Sequence, residues 1–252
     1  CVWDLIVTLD DADSEIYSAF FVEEEGTWSN FQGIKDVIRT KGLPCSFYSD
    51  RGAHYWHTKT AGDRVDKSVQ TQFGRAMSYL GIEMIAAYSP QARGRSERMF
   101  RTLQGRLPLE LKSAGIKTMK EANQFLKDHF LPEFNRLHIS PPEDEKSAFV
   151  PWIDRGILLD EILCIQRERK VNNDNTVSYQ GKTYQIPEDK QRFSFAKTRV
   201  KIHEYQDGSM SIFHGPRKLV TFENKVLELD MSQVKLSVKT TKIEQPEMRE
   251  AC

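Results

Sequence analysis

The chain has 252 residues, with 36 basic and 36 acidic side chains and a formal net charge of zero. That length allows one large or two small domains around a sizeable core, and the balanced charge excludes recognition of a polyanion by bulk charge alone, leaving local clusters for that role. No apolar run approaches the roughly 18 residues of a membrane span, no signal peptide is visible, and cysteines at 1, 45, 164 and 252 lack paired metal-ligand spacing, so reduced thiols in a cytosolic protein are expected.

Residues 5–9 form a continuous apolar run, which predicts a buried strand. Asp10-Asp11-Ala12-Asp13-Ser14 has the composition of a turn, and residues 16–22 follow as a second strand of a hairpin. Thr27 is placed to cap a helix whose Trp28, Phe31, Ile34, Val37 and Ile38 share one face, with Gly42 at its end. Residues 45–49 read as the next strand, with Cys45 in the core and Asp50 at the carboxyl end. The Glu23-Glu24-Glu25 run reads as a solvated approach to the preceding helix.

Residues 54–70 are polar and aperiodic and read as a loop, His54 and His57 forming a loop wall rather than a metal site. Thr71 caps a short helix with Phe73, Met77 and Leu80 inward and Gly81 at its end. Residues 83–86 are a short strand and residues 88–94 a loop. From Ser96 a helix carries Met99, Phe100, Leu103 and Leu107 at helical spacing, and Pro108 is expected to kink or end it. Thr118 caps a further helix through Phe125, Leu126 and Phe130.

This order predicts a mixed α/β unit, a short sheet covered by helices, over residues 1–139. Residues 140–165 are rich in Pro and acids and read as a linker with a short helix, placed at residues 160–169. Short alternating segments separated by Asn/Asp/Gly turns then predict a small all-β barrel or sandwich over residues 166–228. Residues 229–252 read as a frayed tail.

Two carboxylates stand out. Asp50, in Ser49-Asp50-Arg51-Gly52, falls at a strand's carboxyl end, where α/β sheets place their sites. Glu97 falls at the start of a basic helix, after a Pro/Gly loop. Brought together, two such groups supply hard oxygen ligands for a divalent cation. Between Arg93 and Arg106 there are five arginines (Arg93, Arg95, Arg98, Arg101 and Arg106) and one acid. Their planar forks suit phosphate oxygens, against the alternative of a solvated helix face.

Ser49-Asp50-Arg51-Gly52, Leu80-Gly81-Ile82-Glu83-Met84-Ile85 and Tyr88-Ser89-Pro90-Gln91-Ala92-Arg93-Gly94-Arg95-Ser96-Glu97-Arg98 together resemble the integrase core of bacterial insertion-sequence transposases, a pattern shared with retroviral integrases. The resemblance covers roughly residues 2–225 and implies a ribonuclease-H-like mixed sheet flanked by helices, followed by a small all-β barrel-like domain. It implies that Asp50 and Glu97 are the last two acids of a DDE (Asp-Asp-Glu) triad holding two Mg2+ or Mn2+ ions for phosphoryl transfer on DNA. Transposon ends and target DNA are the implied partners, in a homo-oligomeric assembly without membrane contact. A bacterial cytoplasmic, nucleoid-associated location is implied as well.

The family's first aspartate lies about a dozen residues before the turn that Asp10 and Asp11 resemble, and no such residue occurs in this sequence. Asp10 and Asp11 are not expected to replace it. Residues upstream, including a helix-turn-helix, are expected to be missing, with weak metal binding and little strand transfer. The alternative is an inactive remnant that binds DNA or a full-length transposase.

Overall fold

The computed structural model describes residues 2–60, 63–88, 90–139, 144, 146–154, 156–189 and 192–224, the side chains of residues 90–93 and 95 excepted. The first apolar run pairs as expected: β1 (Asp4–Leu9) and β2 (Ile16–Val22) run antiparallel, with Val7 opposite Ala19. The Asp10 amide closes the turn by donating to the Glu15 carbonyl at 2.8 Å. Helix α1 (Thr27–Thr40) follows, capped by Gly26 instead of Thr27. Ser29 Oγ accepts from the Gly26 amide at 2.9 Å, which satisfies a group the helix start leaves open.

Strand β3 (Ser46–Ser49) lies parallel to β4 (Glu83–Ala86), with Ser49 opposite Ala86. Between them, α2 (Gln72–Leu80) is capped by Thr71 Oγ1, which accepts from the Gly74 amide at 3.0 Å, and ends at left-handed Gly81. Phe73 and Met77 of α2 are fully buried against Phe31, Ile34, Val37 and Ile38 of α1. Phe73 stacks on Phe31 and tilts against Phe47, with ring centroids 5.9 and 5.1 Å apart.

Several expectations are corrected. Cys45 is exposed, not core, because β3 begins one residue later, and its thiol donates to the Ala148 carbonyl at 3.2 Å. The 54–70 segment is not polar throughout. Tyr55 packs edge-on against Phe73, and Trp56 is buried with its Nε1 donating to Ser49 Oγ at 2.9 Å. Helix α3 (Pro90–Ser113) starts within the expected loop, since proline suits a first helical turn. Pro108 does not end it. Pro108 and Gln104 are both exposed, so the carbonyl that loses its amide partner faces water.

One helical rod continues from α4 (Met119–Phe125) through a π-helical turn (Leu126–Phe130) into α5 (Leu131–His138). Thr118 caps it as expected. Pro132 has no amide to give the regular ladder, and the Leu131 amide reaches back to Leu126 in the wider turn. Met99, Leu103 and Leu107 of α3 pack with Leu126, Phe130, Phe134 and Ile16.

The stretch read as a linker folds onto this unit. Phe149 and Trp152 pack against the α1–α2 core, and Leu159, Ile162 and Leu163 are part of it. The expected helix over 160–169 is limited to α6 (Leu159–Ile162); residues Ile165–Lys170 form β5 instead, a charged strand at a sheet edge. Strands β6 (Thr176–Tyr179) and β7 (Lys182–Gln185) make a hairpin. Then β8 (Arg199–Glu204), β9 (Met210–His214) and β10 (Arg217–Phe222) complete a four-stranded antiparallel sheet in the order β10-β9-β8-β5. The hairpin packs on it through Val177 and Tyr179 against Val200, Ile202 and Ile212. Among the described residues this sheet stays open and closes no barrel. The expected tail lies outside the described residues, and none of the described helices is long and apolar enough to cross a membrane.

Candidate functional site

Asp50 is exposed and is the first residue beyond β3. Its Oδ1 accepts from the Gly52 amide at 2.8 Å. The Tyr55 and Trp56 amides both donate to the Gly52 carbonyl, at 3.0 and 2.9 Å, so residues 50–56 form a closed turn. Trp56 ties that turn back to β3 through Ser49.

The neighbouring strand delivers the second segment. The Ala87 amide donates to the Ser49 carbonyl at 2.9 Å, extending the parallel ladder past β4, and α3 starts three residues later. The Asp50 turn and the entry to α3 therefore leave the same end of one strand pair. Arg51 bridges them, its guanidinium 5.5 Å from the Tyr88 ring centroid and donating to the Asp63 carbonyl at 3.1 Å.

Glu97 is exposed on α3, about 10 Å along the axis from Pro90 at ~1.5 Å per residue. The buried positions Met99, Leu103 and Leu107 define the inner face. At ~100° per residue, Glu97, Arg98 and Arg101 fall on the outer side, and all three are exposed. Arg98 Nε donates to the Gly94 carbonyl at 3.2 Å. Arg106 differs. It is half-buried, donates to Glu110 at 2.8 and 3.0 Å, and lies 5.7 and 5.6 Å from the Phe130 and Phe134 ring centroids. Arg93 and Arg95 fall on α3 with their side chains outside the described residues.

Asp50 and Glu97 offer only hard oxygen donors. Among the described residues, no group of three or more His, Cys, Asp or Glu is arranged to hold a metal ion. Mg2+ is commonly held by one or two carboxylates, with water and substrate phosphate completing its shell. The donor set fits that open kind of site. Asp10, the tempting substitute, directs its carboxylate to the turn amides and to the Tyr17 hydroxyl.

One contact had no signal in the sequence. Glu25, read as part of a solvated acidic run, lies with its Oε1 3.0 Å from His54 Nε2. That contact holds the Glu25 carboxyl below its ordinary range against the opposing effect of burial. Burial, with the Glu25 and Asp50 charges behind it, pushes the Tyr55 hydroxyl far above its usual value.

No family model matches the chain. It is 32% identical over 208 residues to a protein of Sinorhizobium fredii (strain NBRC 101917 / NGR234) named as a transposase, y4bF, and 28% identical over 213 residues to the transposase for insertion sequence IS1202 of Streptococcus pneumoniae. Each match takes in 82% of this chain, which spans 45% and 44% of the two relatives. Among solved structures, it is similar to a chain of the simian T-cell lymphotropic virus intasome in complex with PP2A regulatory subunit B56 gamma. The TM-score is 0.40 and the identity 15%, over 84% of this chain and 69% of that one.

Proposed function

We propose that this chain, homologous over 82% of its length to named transposases, is the DNA-processing part of such a protein and acts in metal-dependent phosphoryl transfer on DNA ends. The observation that carries the reading is the parallel strand end from which both the Asp50 turn and the Glu97 helix depart. We read residues 1–139 as a ribonuclease-H-like integrase core, residues 140–165 as the connection and residues 166–228 as a small β domain. Supporting this, among the described residues β1 pairs only with β2 and β3 only with β4, while α1 packs on β1, β2 and α2. The two pairs share no ladder among the described residues, and the helical layer of α1 and α2 is what joins them.

Asp50 and Glu97 hold Mg2+ or Mn2+, two ions in the intact enzyme. When bound, such ions polarise the phosphoryl oxygen and generate the nucleophile at neutral pH. Arg98 and Arg101 hold phosphates of transposon ends and target DNA along the outer face of α3, and Arg93 and Arg95 are assigned the same role from the sequence pattern alone. Arg106 shares that role less, since Glu110 and two aromatic rings already engage it. Joining two element ends calls for an assembly of several copies.

The test is Mg2+- or Mn2+-dependent nicking of donor-end DNA, with Asp50→Asn as control. Slow nicking that disappears in Asp50→Asn supports an enzyme. DNA binding with no nicking in either protein supports the second reading, an inactive remnant that binds DNA or a full-length transposase. Absence of DNA binding contradicts the first reading and leaves, of the second, only binding to a full-length transposase.

A further inference from the structure

His54 sits on the same turn as Asp50, yet it is anchored outside that turn. Its Nε2 lies 3.0 Å from Glu25 Oε1, on the segment that enters α1. His54 Nε2 is buried, and Glu25 is the acid it faces. Glu25 is itself fixed, its backbone amide donating to Asp4 Oδ2 at 2.9 Å at the head of β1. The imidazole also stands edge-on to Tyr55 with ring centroids 4.2 Å apart, and Tyr55 donates to Asn30 Oδ1 of α1. One side of the ring is thus tied to β1 and α1.

The other side faces the carboxylate. A Cβ placed on Gly52 would lie 2.9 Å from His54 Cε1 and 3.0 Å from Asp50 Oδ1. The imidazole edge and the carboxylate oxygen therefore border the same gap, which is wide enough only for a glycine hydrogen. We propose that His54, held by Glu25, is a positioning residue for the Asp50 carboxylate: the ring packs the Gly52 turn from outside and keeps Oδ1 on the amide that orients it. This deepens the metal-binding reading of Asp50 and rests on it. A partner that orients a ligand from behind commonly accounts for a tenfold or larger part of metal affinity.

The experiment measures Mn2+ affinity of the whole chain by electron paramagnetic resonance, with thermal melting alongside. The proteins compared are the wild type, Asp50→Asn, His54→Ala, His54→Gln, Glu25→Gln and the His54→Ala/Glu25→Gln double variant. Asp50→Asn abolishes binding. His54→Ala and Glu25→Gln each weaken it about tenfold, and the double variant loses no more than His54→Ala alone, because the two residues act as one unit. His54→Gln, which refills the space, recovers part of the loss. Affinity unchanged within twofold in His54→Ala and Glu25→Gln, with Asp50→Asn still abolishing it, overturns the positioning role and leaves the metal reading standing. Binding indifferent to Asp50→Asn overturns the metal reading itself. Should His54→Ala fail to fold, Glu25→Gln decides, since that side chain is 42% exposed and its loss disturbs little packing.

Discussion

The α/β region and the β-rich region bury aromatic and branched side chains in different ways. From β5 to β10, four strands share one hydrogen-bonded sheet, and strand residues Val200, Ile202 and Ile212 make the core with the hairpin above them. In the α/β region the strands come in pairs, and the core sits mainly on helices, in Phe31, Ile34, Phe73 and Met77. A two-stranded pair buries little alone, so α1 and α2 supply the apolar surface and the strand ends are left to turns. Asp50 lies in one such turn, and Glu97 lies on the helix that follows the other strand of the pair. The charges of the β-rich region, such as Lys170, Arg199 and Lys201, are instead spread along exposed strand positions.

The sharpest way to break this contrast is Phe73→Ala. Phe73 is 0% exposed and touches Phe31, Phe47 and Tyr55, so its truncation should cost about 3–5 kcal/mol. Hydrogen exchange should show β3, β4 and α2 losing protection while β8 and β9 keep theirs. Equal loss in both regions would mean that they share one cooperative core.

Next comes acid. Burial, then the Arg75, Lys201 and Lys218 charges, push the His203 imidazole down to about 4. Its Nδ1 has no hydrogen-bond partner among the described residues. The unfolded chain takes up this proton first, near the ordinary histidine value of about 6.5. The contribution is therefore complete above about 6.5 and is lost as pH falls from there toward 4, by an amount on the order of 3 kcal/mol. His203→Leu should flatten the dependence of the melting temperature on pH in that window.

A smaller effect tests the seam between the regions. Arg75 of α2 donates to the Ile162 and Cys164 carbonyls at 3.0 and 2.6 Å, while Gln72 exchanges hydrogen bonds with Gln166 of β5 at 3.0 and 2.8 Å. Arg75→Leu leaves those carbonyls without their donor and should cost about 2 kcal/mol by denaturant melts. The smallest shift expected is in DNA binding. Arg98→Ala and Arg101→Ala should each weaken binding regardless of sequence and lower the salt slope by about one, whereas Arg106→Ala should act mainly on stability.

Local features were the legible ones. Thr71 and Thr118 are legible as caps because a cap is set by residues three positions apart. Asp50 is legible at a strand end because Phe47 and Tyr48 precede it and Gly52 follows. The same local reading failed at β5, where Gln-Arg-Glu-Arg-Lys has no apolar alternation and is a strand only because β8 pairs with it. It also sets the start of α3 too late, because Pro90 and Gly94 suggest a loop. The Glu25–His54 contact and the Arg75 clamp join residues distant in the chain, and no spacing rule reveals them.

The central claim is that Asp50 and Glu97 hold one shared cation or two ions about 4 Å apart, and anomalous scattering from a crystal soaked in Mn2+ tests that directly. The predicted result is a peak within about 2.0–2.3 Å of a carboxylate oxygen from each residue. No peak there, with the β3–β4 pairing intact and the two carboxylates more than about 10 Å apart, would contradict it, because ions about 4 Å apart cannot link groups so distant.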